Sequence, residues 1–169
     1  MDPLVVYDYL ARARQRLFDW IRPLTAEQYT RTLPTWRRTL AHTLTHTMTA
    51  EWYYMERLQR HDVPPDDQWP IREEDPPPFA VLEKAWIEQA ERTRTALGAV
   101  QDWNVDREYR VTLDDGRRQI IQATGTDIFT QLVLHEVHHR TQALNMLRQL
   151  GATTDDLDYN LLTYRRRDV

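Results

Sequence analysis

The sequence predicts an all-α protein, an antiparallel four-helix bundle with a small β-hairpin between its third and fourth helices. Three observations carry this expectation. Four stretches repeat apolar residues at helical spacing, one stretch alternates around an Asp-Asp-Gly turn, and one connection collects six of the nine prolines. A chain of 169 residues suits one domain spanning 1–169. Its 41% apolar and 28% charged residues give a globular balance that excludes collagen-like, mucin-like and fully disordered readings.

Asp2-Pro3 starts the first helix, because Asp accepts from free N–H groups and Pro is tolerated in the first turn. Leu4, Tyr7, Leu10, Ala11, Arg14, Leu17 and Ile21 follow at helical spacing, and the helix ends before Pro23. A second helix starts after Pro34, with Thr35 as its cap, and runs through Leu40, Leu44, Met48, Met55 and Leu58 to about Arg60. His61 to Pro78 is a loop, since each proline removes a backbone donor and disfavours helix in the residue before it. The third helix runs from Phe79 to about Val100 and ends near Gly98, with Leu82, Trp86, Ile87, Ala90 and Leu97 on its apolar side. Residues 107–122 form the hairpin around Asp114-Asp115-Gly116. Gly125-Thr126-Asp127 opens the fourth helix, which continues to Leu150 and is stopped by Gly151.

Twenty-two basic against 26 acidic side chains leave a net charge of −4, so neither nucleic acid nor an anionic membrane surface is an expected partner. The run Arg165-Arg166-Arg167 is too short to change that and reads as a solvated tail. There is no cysteine, which excludes a disulfide framework, thiolate metal sites, iron–sulfur clusters and a cysteine nucleophile. Any metal must be held by nitrogen or oxygen. With neither a leader pattern nor a membrane-length apolar run, a cytoplasmic location is expected.

The chemistry concentrates on histidines. On the fourth helix His135 and His139 fall within about 40° of each other, beside the stripe of Ile128, Leu132, Met146 and Leu150. Two imidazoles so placed are satisfied either by one shared divalent ion or by separate hydrogen bonds within the core. On the second helix His42 and His46 are likewise one turn apart, at the edge of the apolar stripe. His138 points about 60° away from His135 and reads as exposed, as does His61 in the proline-rich loop. Gln142 lies on the same side as His139, where it either contacts a ligand or packs between helices. Trp36, Trp52, Trp69, Trp86 and Trp103 read as core or interface anchors.

The segments HTMTAEWYYMERL, from His46, and LHEVHHRTQALNMLRQLG, from Leu134, resemble the DinB/YfiT-like family, and the resemblance spans nearly the whole chain. It implies a four-helix bundle that binds a divalent metal, Zn or Ni, through one histidine of the second helix and an H-x-x-x-H pair of the last long helix. The matching positions are His46, His135 and His139. The family's frequent H-H-R-G-Q appears as His138-His139-Arg140-Thr141-Gln142, with Thr141 in place of Gly and the register of both histidines intact. Three neutral ligands leave an ion its full charge and an open position. The resemblance therefore implies a metalloenzyme that activates water or a thiol, acting as a hydrolase or a thiol S-transferase on a small-molecule substrate. With no cysteine in the chain, the thiol would be a low-molecular-weight co-substrate.

Three further expectations stand beside this one. A stress-associated metal-binding or scaffold protein without chemistry of its own is the alternative in a different class. His135-Glu136-Val137-His138-His139 also satisfies H-E-x-x-H, in which Glu136 would be a metallopeptidase base. The H-x-x-G-x-x-H continuation fails at Gln142 and Asn145, and Glu136 reads better as a helix-surface carboxylate. Homodimerisation is expected because twofold pairing is the commonest oligomeric state. The acidic stretch Asp155-Asp156-Leu157-Asp158 either covers one end of the helices, where a carboxylate could orient a ligand histidine, or forms a turn before a short terminal helix.

Overall fold

Asp2 accepts a hydrogen bond from Leu4 N and Pro3 occupies the first turn, so α1 runs from Pro3–Ile21 as the sequence implies. In the computed structural model, which describes residues 2–35, 38–112 and 115–167 apart from the Asp66 side chain, the order is mostly helical with one two-stranded sheet. A short α2 (Ala26–Thr30) follows, then α3 (Leu40–Leu58), α4 (Phe79–Ala99), β1 (Asp106–Thr112), β2 (Arg118–Thr124), α5 (Gly125–Gln149) and α6 (Tyr159–Thr163). Trp36 and Asp114 lie outside the described residues. No helix among those described is long and apolar enough to cross a membrane.

Several boundaries differ from expectation for local reasons. The cap of α3 is Thr39, whose hydroxyl accepts from His42 N at 3.0 Å; Thr35 lies upstream, and its hydroxyl meets no partner among the described residues. Residues 26–30 form α2 because Thr25 and Gln28 make a reciprocal capping box. α4 ends at Ala99, near Gly98 as expected. Ile87, expected on the apolar side of α4, is 56% exposed, whereas Leu82, Trp86, Ala90 and Leu97 are buried. Gly151 takes φ 85° after α5, the left-handed stop the sequence implies.

The strands pair antiparallel from Asp106 opposite Thr124 to Thr112 opposite Arg118. At the hairpin's exit, a Cβ on Gly125 would lie 2.9 Å from Arg107 Nη1 and 3.2 Å from the Trp103 carbonyl. A side chain there would have to displace the Arg107 guanidinium and crowd the backbone entering β1, so glycine suits the start of α5.

The long helices are not all antiparallel neighbours. Thr43 meets Met146, His46 meets His135 and Tyr54 meets Gln131, so α3 and α5 run in opposite directions. Glu83 and Arg94 of α4 pair with Arg22, the C-terminal cap of α1, and with Asp8 of α1, again in opposite senses. Glu51 of α3 bonds both Trp86 and Thr93, and Met48 lies beside Ala85 while Leu58 lies beside Ala96 and Ala99. Thus α3 and α4 run in the same direction, correcting the expected all-antiparallel order. Their connection, residues 59–78, has to climb the length of α3, about 28 Å. Trp69 pins it halfway, its ring 5.2 Å from Trp52 and its Nε1 donating to the Pro64 carbonyl.

At the centre of the core the four long helices share one buried polar cluster. Arg14 Nη2 donates to Glu51 Oε2 and Glu136 Oε2, both at 2.7 Å, while its guanidinium lies 4.4 Å from the Trp86 ring. Glu51 also accepts from Tyr7 Oη, from Trp86 Nε1 at 2.8 Å and from Thr93 Oγ1 at 2.7 Å. Glu136, expected on the surface, is 3% exposed. Burial opposes the charge on Arg14, yet Glu136 and Glu51 outweigh it and raise its pKa further. Burial, reinforced by Glu51, pushes the Tyr7 hydroxyl well above its ordinary range.

Arg14→Met leaves two carboxylates buried without their cation and is expected to cost about 3–5 kcal/mol in urea denaturation. A group whose pKa is raised by folding stabilises the fold below its unfolded pKa and loses that contribution as pH rises. Stability should therefore fall above about pH 10, the unfolded tyrosine value. Urea melts across that range should show a shallower fall in Tyr7→Phe.

Candidate metal centre

The site is built where α3 and α5 pass each other. Helical spacing stacks His135 and His139 on one face of α5, and the opposed direction of α3 brings His46 between them. His46 Nε2 lies 3.0 Å from His135 Nε2, and the three ring centroids are 4.4 to 4.8 Å apart. One ligand atom from each residue falls within 4.8 Å of the others. His139 is buried and the other two rings are half-buried. Three nitrogen donors so close together fit a metal-binding site.

Two of the rings are oriented from behind. His46 Nδ1 lies 2.6 Å from Glu73 Oε1, and His139 Nδ1 lies 2.8 Å from Gln142 Oε1. A carboxylate and an amide oxygen only accept, so each Nδ1 carries the proton and each Nε2 keeps the lone pair a metal requires. Thr49 Oγ1 also donates to Glu73 Oε1, at 3.3 Å, so two side chains of α3 hold the same carboxylate oxygen. The Tyr54 ring packs edge-on against His135 at 5.7 Å.

The remaining expectations sort themselves by geometry. Gln142 contacts His139, and its Nε2 lies 3.0 Å from His138 Nε2. His138 is exposed, as expected. His42 is not in the cluster; its Nδ1 lies 2.8 Å from Thr39 Oγ1, which places it in the cap of α3. His61 is exposed and pairs with Glu56. Glu136 cannot serve as a peptidase base, because it is buried on the opposite side of α5 from solvent with both oxygens bonded to Arg14. Glu73 escaped sequence reasoning. It sits in Arg72-Glu73-Glu74-Asp75, and nothing in an acidic run tells which carboxylate faces the helices. The terminal acidic stretch leads instead into α6, with Leu157 buried and its carbonyl accepting from Tyr9 Oη at 2.8 Å.

The fold and the site together define a helical protein with a three-histidine cluster suited to a divalent metal. A model of the DinB family matches residues 1–167, and the chain belongs to that family. No curated protein matches it.

Proposed function

We propose that His46, His135 and His139 hold one divalent metal ion, zinc or nickel, at the heart of an enzyme that transfers or hydrolyses a small-molecule substrate. The observation carrying this reading is the convergence of three imidazoles whose far nitrogens are fixed by Glu73 and Gln142. Bound there, the ion would supply Lewis acidity that favours the ionised form of water or of an incoming low-molecular-weight thiol. The chain's own groups do the rest. Glu73 and Gln142 hold His46 and His139 in the tautomer that presents Nε2. Glu136 and Arg140, each the neighbour of a histidine, fasten α5 to α1 through Arg14 and Tyr9, which keeps both histidines on the side facing α3. We read the four long helices as a four-helix bundle with two parallel pairs, α3 with α4 and α1 with α5, forming one domain.

Elemental analysis of tag-free protein is expected to find near-stoichiometric metal in the wild type and none in a His135→Ala, His139→Ala double variant. Metal-free wild type that takes up neither zinc nor nickel would remove the proposal's basis. Metal-dependent consumption of a thiol with an electrophile would select transfer over hydrolysis.

Glu73→Ala and Gln142→Ala should each weaken metal affinity by about 10–100-fold, measured by competition with a chelator, while leaving the unfolding midpoint of the metal-free protein close to that of wild type.

A further inference from the structure

At the far end of α3 from the cap, a cleft of about 430 Å³ opens between the helix end and β1. Arg57, Arg60 and Arg110 line it together with Asp62, Glu108 and Tyr109. Arg57 is 7% exposed, and its guanidinium lies between two aromatic rings, 4.9 Å from Tyr53 and 4.6 Å from Tyr109. A guanidinium this buried ordinarily has a carboxylate beside it. Arg57 has instead one hydrogen bond, from Nη2 to the Arg110 carbonyl at 3.2 Å, and its Nε meets no acceptor among the described residues.

Its neighbours do not supply the missing charge. Among the described residues Arg60 reaches only the Asp106 carbonyl, at 3.5 Å, and none of the three arginines forms an ion pair with a described carboxylate. Arg107 stands behind them, and its pKa is lowered by burial and then by repulsion from Arg60. The carbonyl end of α3 offsets part of this crowding, since Leu58 O accepts from Arg107 Nε at 2.9 Å. Asp62 and Glu108, counted in full, still leave the lining arginines one positive charge in excess.

We propose that this cleft binds an oxyanion, the phosphate or carboxylate group of a small molecule, through Arg57, Arg60 and Arg110. The two tyrosine rings hold the fork of Arg57 in one plane before the anion arrives, which lowers the ordering cost of bidentate contact. The cleft is separate from the histidines. Arg57 follows His46 by eleven positions on α3, about 16 Å along the helix axis, and the inference stands whether or not a metal binds there.

Sodium phosphate and sodium succinate, titrated separately into the protein as purified, should produce saturable NMR shifts at the Arg57 Nε–H and the Tyr109 amide. In an Arg60→Gln, Arg110→Gln double variant, both sites being exposed, the affinity should fall by about tenfold or more. Saturation by phosphate alone assigns a phosphate ligand, and by succinate alone a carboxylate. Shifts at His46, His135 and His139 would instead report an anion at the histidine cluster, so failure of one proposal is read apart from failure of the other. Absence of saturable shifts at Arg57 and Tyr109 with both salts up to about 20 mM, or shifts unchanged in the double variant and therefore due to an adventitious ion only, would overturn the inference. Should the double variant fail to fold, Arg60→Gln alone provides the same comparison.

Discussion

Two neighbouring helices that run in the same direction cannot be joined by a tight turn. Because α3 and α4 are such a pair, the chain between them must travel back the whole length of α3, and residues 59–78 do so. The prolines at 64, 65, 70 and 76–78 keep this segment extended and remove donors that would otherwise need partners. Trp69 rests on Trp52 and Tyr53 at mid-height, and one step further on Glu73 arrives against His46 and Thr49. The carboxylate that orients a histidine is thus a consequence of helix direction. An up-down-up-down order with short turns would leave His46 without it.

The polar cluster around Arg14 imposes the second constraint. One guanidinium, two carboxylates, an indole and two hydroxyls meet where four helices cross, and sliding any one helix would break buried, charge-assisted hydrogen bonds. Such clusters add less stability than a hydrocarbon core of equal volume, but they specify register. That register matters here because the residues following both α5 histidines are anchored, Glu136 on Arg14 and Arg140 on Tyr9 at 2.6 Å. The rotation of α5 about its own axis is fixed by the same residues that close the core, and with it the direction of His135 and His139.

The helices were legible because their apolar residues repeat at helical spacing, and the histidine trio was legible because two segments carry a family resemblance that assigns His46 ahead of His42. The polar interior was not. Glu136 looks like a surface carboxylate on a helical wheel, since no rule applied to one helix reveals Arg14 and Glu51 arriving from two others. Three buried threonines of α3 hide in the same way: Thr43, Thr47 and Thr49 bond back to carbonyls one turn earlier, which satisfies the hydroxyls where sequence polarity suggests solvent. Helix direction was equally hidden, because the length of the proline-rich segment permits either a loose loop or a return path, and only the contacts of Glu51, Met48 and Leu58 choose between them.

The charge distribution gives these constraints a common sense. Counted as charged groups, Glu51 and Glu136 are balanced in the core by Arg14 and by the buried Arg140 beside His139, which leaves Glu73, against His46, as the negative charge at the histidines. Three neutral imidazoles bring no charge of their own. The carboxylate of Glu73 is therefore aimed at a place that three nitrogen donors face, and a cation there would have its charge partly balanced by it at reduced desolvation cost. A pair or trio of merely hydrogen-bonded histidines would need none of that compensation. Removing Glu73 should accordingly weaken cation binding more than removing the neutral Gln142, because Glu73 contributes both the tautomer of its histidine and a negative charge beside it.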